Sequence, residues 1–269
     1  MLGTIVIDLR LHSDRRCPLR QQSPTAKKHL RVACGALGVV ALATLCIPVL
    51  VLGQTREESP RRIIGPGDIA SVAGAAILFA VPKLTEINSD PVRCAPCDRS
   101  SVPFFDRWVI APMRPVAGRA SDILHVSLWA VTWLELVNDG PVGHAGIVAS
   151  LESTLWAAGT VQLAKVLTGR KRPVLYTDSG IEVAHVVSNQ RSWPSGHSAT
   201  AAALATSYCL TRRELSSDNS PGWRCWLAMA GAVGVGVLRM AAAKHYPSDV
   251  LAGLAAGTAA AFVVHTVKF

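Results

Sequence analysis

Charged residues are scarce in this sequence. They make up 17% of its 269 residues, whereas about a quarter is usual in a soluble globular domain. The shortage is uneven, because long stretches carry almost no charge and half of all residues are apolar. Mean hydropathy is accordingly positive, at +0.32. Such a composition argues against an ordinary soluble domain and is typical of a membrane protein.

The apolar runs also lack the strict alternation of apolar and polar residues that marks a half-buried strand. They are long and rich in alanine and leucine, which favours helices. We therefore predict an all-α fold, a multi-span transmembrane bundle of about six core helices. The apolar segments that would build it occupy residues 69–82, 123–137, 145–164, 198–210, 225–243 and 250–267. Small residues in them are expected to let helix backbones approach closely, namely Gly231, Gly234, Gly236, Gly253 and Gly257.

Residues 1–60 are predicted to form a separate part, a basic N-terminal tail plus a signal-anchor segment, with the membrane domain over residues 61–269. Within this part, Val32–Gly53 is an uncharged run of about the 20 residues needed to cross hydrocarbon. The run is either an uncleaved anchor or the core of a signal peptide. Because signal cores are usually shorter, about 7–15 residues, the anchor is favoured.

Net charge is +9, and an excess of basic residues can indicate nucleic-acid binding. Here the basic residues flank apolar segments instead of lining a polar face, which fits the positive-inside tendency and a phosphate pocket. We therefore expect no nucleic-acid partner. The segment Arg107–Arg119 either contacts anionic headgroups or forms a solvated loop, and an interfacial amphipathic helix is expected around Phe104–Val116.

Seven cysteines are present, but only one C-x-x-C pair, Cys94 and Cys97. One pair cannot supply the four ligands of a structural zinc site, so no metal is predicted there. A local disulfide in an oxidising compartment is favoured over a redox centre. The cysteines in apolar stretches are expected to be buried as small apolar side chains, namely Cys34, Cys46 and Cys209.

The first of three short motifs reads K-V-L-T-G-R-K-R-P at residues 165–173. If the preceding helix continues, Lys165 and Arg172 share one of its faces. Gly169 and Pro173 indicate that the helix ends here, which places cations at a membrane boundary. On its own, this pattern is equally typical of a basic helix end whose side chains snorkel to the interface.

The second motif, W-P-S-G-H-S at residues 193–198, directly precedes an alanine-rich segment. Pro-Ser-Gly predicts a turn that presents the free N–H groups of a helix start, and such groups bind phosphate. Ser195 adds a hydroxyl, Gly196 lets an anion approach the backbone, and His197 can exchange a proton near neutral pH. Alone, Ser-Gly-His would usually be a helix cap.

The third motif, R-M-A-A-A-K-H-Y-P-S-D at residues 239–249, joins the last two apolar segments. Pro247 suits the first turn of a helix, so His245 is predicted in the turn before it. The Asp249 carboxylate can accept a hydrogen bond from one imidazole nitrogen and leave the other free to attack. The alternative is a capping aspartate beside an interfacial histidine.

Together, the three motifs favour a functional site over ordinary helix ends, because ionisable groups in membrane segments are costly and usually functional. The first two motifs share one loop. The chain then crosses at 198–210 and returns at 225–243, so the third motif lies on the same side. All three are therefore predicted to converge on one membrane face.

This pattern of K-x6-R-P, then P-S-G-H, then R-x5-H-x3-D resembles that of the type 2 phosphatidic acid phosphatase superfamily, which is related to vanadium-dependent haloperoxidases. The resemblance covers residues 120–269. One departure is Leu238, which precedes Arg239 where the family usually has serine. The change removes a peripheral hydroxyl and leaves the other motif positions in place.

The resemblance implies a membrane phosphatase that hydrolyses a lipid phosphomonoester or diphosphate. In it, His245 would attack phosphorus to form a phosphohistidine, and Asp249 would orient His245. His197 would protonate the leaving oxygen and later activate water. The phosphoryl oxygens would be held by Lys165, Arg172, Arg239, Ser195 and the Gly196 N–H. Because three cations could supply the charge that Mg²⁺ supplies in other phosphoryl-transfer enzymes, neither a metal nor a cofactor is expected.

Two other functions are compatible with the motifs. One is a vanadate-dependent haloperoxidase-like enzyme, which would normally be soluble, and the other is a non-enzymatic membrane protein with a degenerate phosphate pocket. For the phosphatase, the candidate substrates are phosphatidate, polyprenyl or isoprenoid phosphates and diphosphates, lipid A phosphates and phosphatidylglycerol phosphate. Membrane lipids are the expected surroundings.

We expect a multi-pass protein of a bacterial inner membrane with an extracytoplasmic active site. The family resemblance and a Cys94–Cys97 disulfide favour that side. A cytoplasmic basic tail followed by a full crossing at every apolar segment would instead place the Lys165 loop in the cytoplasm. The two arguments agree if segment 69–82 does not span fully, or if the tail is extracytoplasmic.

Overall fold

The computed structural model of the protein describes residues 65–84, 92, 94–217, 220 and 222–269. The basic tail, the Val32–Gly53 run, Cys34, Cys46 and the predicted boundary near residue 60 lie outside these residues. The predictions made for them are therefore not addressed by the fold.

Six long helices, of 19 to 29 residues each, account for most of the described chain. No strand occurs in the described residues, so the all-α class is confirmed for them. The six-span membrane bundle stays a prediction. The long helices are α1 (Pro66–Leu84), α2 (Pro115–Leu136), α3 (Gly140–Thr168), α4 (Gly196–Leu215), α5 (Gly222–Ala241) and α6 (Pro247–Lys268).

Prolines and glycines set several of the helix boundaries. A proline lies in the first turn of α2, α3 and α6, where its missing N–H costs nothing and its fixed φ suits the helix. Helix α3 ends at Gly169, whose φ is +56° and whose N–H donates to the Lys165 carbonyl. A left-handed residue at this position is the commonest helix stop. The first and third motifs therefore lie at helix ends.

Helix α4 lies at the centre of the fold and packs against α3, α5 and α6. Its alanines are buried on several faces, and α6 meets it through two glycines. A Cβ built on Gly257 would lie 1.9 Å from the Ala199 carbonyl oxygen, and one on Gly253 would lie 2.4 Å from the Ser195 carbonyl oxygen. Only glycine permits backbones this close, so the predicted close approach is confirmed at these two positions.

The remaining helices pack on the outside of this core. Helix α1 lies along α3, where the Trp156 Nε1–H donates to Ser71 Oγ at 2.9 Å. Helix α2 lies along α5, where the Ser121 hydroxyl donates to the Val235 carbonyl at 3.3 Å. Two helices, α5 and α6, are long and apolar enough to cross a membrane. The membrane assignment of the other helices stays a prediction.

The interfacial helix predicted around Phe104–Val116 is wrong. A 3₁₀ segment covers Phe104–Val109, and an irregular stretch then leads to α2 at Pro115. The physical reason is proline, because Pro112 and Pro115 cannot donate an N–H and disfavour helical geometry in the residue before them. The 3₁₀ segment still has two faces, with Asp106 and Val109 buried and its aromatic side chains exposed.

The cysteines differ partly from prediction. Cys94 and Cys97 are joined in a disulfide, as favoured from their spacing. Cys209 is not an isolated apolar side chain, because it forms a disulfide with Cys225. The antiparallel packing of α4 on α5 places the Cα atoms of Cys209 and Cys225 5.0 Å apart. Sequence alone gave no helix register from which this pairing could be predicted.

Candidate functional site

The three motifs lie at one end of the bundle, where α3 ends, α4 begins, α5 ends and α6 begins. The Ser195 N–H donates to the Asp249 carbonyl at 2.9 Å, which joins the second motif to the third. A Cβ built on Gly196 would lie 3.2 Å from Lys165 Nζ, which joins the second motif to the first. The structure therefore brings together the residues predicted from the three motifs.

His245 lies in the turn between α5 and α6 and is only 1% exposed. Its Nδ1 is 2.8 Å from the Ser192 carbonyl oxygen and 3.5 Å from Asp249 Oδ2. Because a carbonyl only accepts hydrogen bonds, Nδ1 carries the proton and Nε2 keeps the lone pair. Burial lowers the pKa of His245 to about 3, and Arg172 and Lys165 add to the effect despite the opposing Asp249. The imidazole is therefore neutral near pH 7.

A strained turn presents His245. The Lys244 N–H donates to the Arg239 carbonyl at 3.1 Å and the Ala243 N–H to the Met240 carbonyl at 2.9 Å. These two bonds form a Schellman motif that ends α5. Its left-handed position, usually glycine, is held by Ala243 with a φ of 55°. Left-handed backbone at a non-glycine residue costs free energy and is commonly found at functional sites.

Asp249 is fully buried, and hydrogen bonds reach both of its oxygens. Arg170 Nη1 donates to Oδ1 at 2.5 Å, while the Ser192 hydroxyl and the Tyr246 N–H donate to Oδ2 at 2.5 and 2.9 Å. Ser192 thus holds both members of the pair, accepting from His245 through its carbonyl and donating to Asp249 through its hydroxyl. Nothing in the local sequence pattern around Ser192 marks it as part of the site.

Two arginines of the motifs carry buried nitrogens without a partner among the described residues. These atoms are Nε of Arg172 and Nε of Arg239. Burial and the neighbouring Arg239 lower the pKa of Arg172 to about 10, so it stays protonated at neutral pH. Buried polar groups are normally hydrogen-bonded, and buried cations normally lie beside an anion. The cluster therefore has the composition of an anion-binding pocket.

Ser195 caps α4. It is fully buried, and its Oγ accepts hydrogen bonds from the Ser198 N–H at 3.4 Å and the Ser198 hydroxyl at 2.9 Å. The cap leaves the N–H of Gly196, the first residue of α4, at the helix terminus beside Lys165 Nζ. An amide at a helix start next to a cation is well suited to binding an anionic oxygen.

His197 lies beside a carboxylate that sequence analysis did not assign to the site. Asp122 Oδ1 is 3.1 Å from His197 Nε2 and accepts from Arg239 Nη1 at 2.9 Å. The ring of His125 is 5.4 Å from that of His197. Asp122 and His125 both come from α2, outside the motifs. A carboxylate just before the apolar run at 123–137 was the available signal.

Asp106 and Arg170 are the other members that sequence analysis missed. Arg170 Nη2 donates to Asp106 Oδ2 at 2.7 Å, and the other end of the guanidinium bonds Asp249. Arg170 lies inside the first motif but was given no role. Asp106 lies 64 residues before it, and nothing in its local sequence marked it as part of the site.

The arrangement can attack and bind a phosphoryl group. A neutral imidazole with a fixed tautomer is a competent nucleophile, and the surrounding cations stabilise charge on transferring phosphoryl oxygens. His197, partly exposed beside Asp122, can exchange a proton with a reacting group. Among the described residues, no group of three or more His, Cys, Asp or Glu side chains is placed to hold a metal ion.

Comparison with known proteins is consistent with this chemistry. Residues 146–269 match the family model of the PAP2 superfamily. A Lipid A 1-phosphatase of Rhizobium etli is 35% identical over 181 residues, which cover 58% of this chain and 74% of that protein. No solved structure matches the chain. The family match contains all three motifs, whereas Asp106 and Asp122 precede it.

Proposed function

Because the chain belongs to the PAP2 superfamily, we propose that it is a membrane phosphatase that hydrolyses a lipid phosphomonoester or diphosphate through a phosphohistidine. The observation that carries the proposal is the geometry at His245. A buried, neutral imidazole keeps its Nε2 lone pair while its Nδ1 is held by Ser192 and Asp249. Lys165 and Arg172 of the first motif act on this imidazole, and Arg239 of the third motif lies beside Arg172.

In the first step, the Nε2 lone pair of His245 attacks phosphorus. An N–P bond forms as the P–O bond to the lipid breaks, and the leaving oxygen takes a proton from His197. Asp249 holds the Nδ1 side of the ring while positive charge develops on it. Positioning and charge stabilisation of this kind are the main requirements of phosphoryl transfer.

In the second step, water attacks the phosphohistidine. His197 accepts a proton from the water as a new P–O bond forms, and the N–P bond electrons return to His245 Nε2. Inorganic phosphate leaves and both histidines regain their starting protonation. Lys165, Arg172, Arg239, the Ser195 hydroxyl and the Gly196 N–H hold the phosphoryl oxygens in both steps, so the mechanism proceeds without a divalent metal.

Lipid A 1-phosphate is the first substrate to test. The R. etli relative that shares 35% identity is a lipid A 1-phosphatase. Phosphatidate, phosphatidylglycerol phosphate and polyprenyl phosphates and diphosphates are the comparison substrates, because the motifs bind phosphate and carry no information about the lipid tail.

We place the site on the extracytoplasmic side of a bacterial inner membrane, in a multi-pass protein. Two helices of sufficient length and apolarity support the membrane location. The family resemblance supports the side. The two disulfides do not decide it, because Cys94–Cys97 lies at the site end whereas Cys209–Cys225 lies in the half of α4 and α5 away from it. Cys97 lies at the site end of the fold, because its N–H donates to the carbonyl of Leu175, shortly after the first motif.

The test is phosphate release from this panel of lipids by detergent-purified protein in EDTA, with His245→Ala beside the wild type. We expect release by the wild type that survives EDTA and falls to background in the variant. A thermal melt of both proteins establishes that the variant is folded. Absence of release from every lipid by folded wild-type protein would refute the proposal, and loss of release in EDTA would refute its metal independence.

A further inference from the structure

Arg170 bridges two buried carboxylates. Its Nη1 donates to Asp249 Oδ1 at 2.5 Å and its Nη2 donates to Asp106 Oδ2 at 2.7 Å. Its guanidinium lies 4.2 Å from the centre of the Tyr246 ring. Although Arg170 belongs to the motif that supplies the phosphate-binding Lys165 and Arg172, both terminal nitrogens are committed to the protein's own carboxylates.

Asp106 is a carboxylate with no exposed surface. Besides Arg170, it receives the Ser248 N–H at 3.1 Å and the Ser248 hydroxyl at 2.6 Å. Ser248 immediately precedes Asp249 in the first turn of α6. Asp106 therefore contacts the backbone that carries the catalytic aspartate as well as the arginine that binds it.

The segment that presents Asp106 is itself fixed. Val109, on the same face of the 3₁₀ segment, lies in a cluster of buried apolar side chains that includes Val174, Leu175 and Tyr246. Arg107, a member of the segment, also ties it to the preceding residues, donating through Nε to the Val102 carbonyl at 2.7 Å. The position of Asp106 is thus determined by packing as well as by its hydrogen bonds.

The opposite charges of Arg170, Asp249 and Asp106 make these three groups interdependent. Burial lowers the pKa of Arg170, but Asp249 and Asp106 outweigh that effect and leave its pKa raised. Removing one member of a buried ion cluster leaves the others without full compensation, which is costly. A second carboxylate near an anion pocket would weaken phosphate binding, so phosphate binding does not explain why Asp106 is there.

We propose that Asp106 and Arg170 are a positioning pair that fixes Asp249, and through it the His245 imidazole, in the attacking orientation. The inference rests on the proposed function, because it assigns a role toward the same nucleophile. Asp106 lies outside the segment that matches the family. The 92–110 region thereby contributes to catalysis a residue that the three motifs do not contain.

A positioning role predicts a specific kinetic signature. Asp106→Asn keeps the size of the side chain and removes its charge, so we expect kcat to fall about 10- to 100-fold, the size of effect that slight misplacement of a reacting group produces. KM should stay within about twofold. Arg172→Gln, which alters the proposed phosphate contact, should raise KM instead. Asp98→Asn is the matched control, because Asp98 is an exposed carboxylate in the same region that caps Ser100.

The decisive measurement is a double-mutant cycle. If Asp106 acts through Asp249, Asp106→Asn should cause little further loss of kcat in an Asp249→Asn background, because the geometry it supports is already lost. General destabilisation would reduce kcat by the same factor in both backgrounds. Arg170→Lys tests the same link from the other side, since lysine keeps the charge but cannot bridge two carboxylates in a fixed plane.

The outcomes separate the two proposals. An inactive wild type would reject the proposed function, whereas an active wild type with unchanged kcat in Asp106→Asn would reject only the positioning pair. Additive losses in the cycle, or a change confined to KM, would also reject it. If Asp106→Asn does not fold by thermal melt, Arg170→Lys in both Asp249 backgrounds gives the same comparison, and wild-type kcat in that variant overturns the inference.

Discussion

The two ends of the helix bundle both gather charged side chains, but they balance charge differently. At the end away from the site, basic groups lie against carboxylates. Lys268 lies 2.5 Å from Asp68 and 3.0 Å from Glu152, and Arg212 lies 2.8 Å from Asp139. These pairs close the far end of α1, α3, α4 and α6 with matched charge.

At the site end, the guanidinium groups of Arg172 and Arg239 keep a buried Nε without a partner among the described residues. A buried atom without a partner among the described residues also occurs at the far end, at Nδ1 of His265, but the two at the site end belong to arginine cations, whose usual partner when buried is an anion. The comparison therefore separates two uses of charge in one fold. Paired charge at the far end joins helices, and cationic excess at the site end prepares a place for an anion.

The comparison is tested most strongly by making the same substitution at both ends. Arg239→Gln should lower kcat/KM about 10²- to 10³-fold, the range seen when one preorganised charge-stabilising group is removed. Arg212→Gln, the matched control at the far end, should stay within about twofold. Phosphate release from a lipid phosphate in detergent measures both variants. Equal losses in the two would show that the ends do not differ in function.

A second test concerns the contact between α4 and α6, the helices that connect the two ends. Gly257→Ala should lower the stability by about 1–3 kcal/mol, because overpacking a tight contact forces the backbones apart. The new methyl would lie 1.9 Å from the Ala199 carbonyl oxygen. Gly67→Ala is the control, since nothing lies within 4 Å of a Cβ there. Melting temperatures in detergent measure both, and an unchanged melt for Gly257→Ala would contradict the close approach.

Protonation gives a third test. His245 lies among cations and has a pKa lowered to about 3, whereas the histidine of the unfolded chain has a pKa of about 6.5. Below pH 6.5 the unfolded state therefore binds a proton that the folded state does not. As the pH is lowered below 6.5, the free energy of unfolding should decrease by on the order of 1 kcal/mol per pH unit. Above that pH the contribution is constant.

The measurement is the melting temperature between pH 7 and pH 5, for the wild type and for His245→Asn. The variant lacks the titrating group and should lose less stability over this interval. In ¹⁵N-histidine spectra, His245 should remain neutral at pH 5. An ordinary titration near pH 6.5 would contradict the burial and the cationic surroundings described for this imidazole.

The smallest expected effect concerns the turns at the two ends. The residue that opens α5 at the far end, Gly222, has a φ of +68°, whereas the turn at the site end places Ala243 at a φ of 55°. Replacing Ala243 with glycine relieves left-handed strain, so Ala243→Gly should stabilise the protein by up to about 1 kcal/mol. A lower melting temperature in this variant would show that the turn carries no such strain.

Much of the site could be predicted from sequence because its residues are grouped locally. The spacing within each motif fixes which side chains share a helix end, and Gly169 and Pro247 lie at the helix boundaries that their backbone preferences indicate. The lack of period-2 alternation was enough to predict helices. The small residues expected to allow close helix contacts included Gly253 and Gly257, through which α6 meets α4.

The partners of the motif residues could not be predicted, because they depend on long-range packing. Asp122 lies 117 residues from Arg239, and Asp106 lies 142 residues from Ser248. The register of α2 against α5 and the path of the Phe104–Val109 segment decide these contacts. The Cys209–Cys225 pairing was missed for the same reason, since it depends on the register of α4 against α5.

The most direct test of the account is to trap the phosphorylated enzyme. A lipid substrate labelled with ³²P at its phosphate is mixed with the protein and the reaction is stopped in alkali, in which phosphohistidine survives. We predict label on the wild type and none on His245→Ala. On His197→Ala, label should form more slowly and, once formed, should be lost more slowly in a chase with unlabelled substrate, because both steps use His197. Label on the folded His245→Ala protein, or phosphate release by that protein at the wild-type rate, would contradict His245 as the nucleophile.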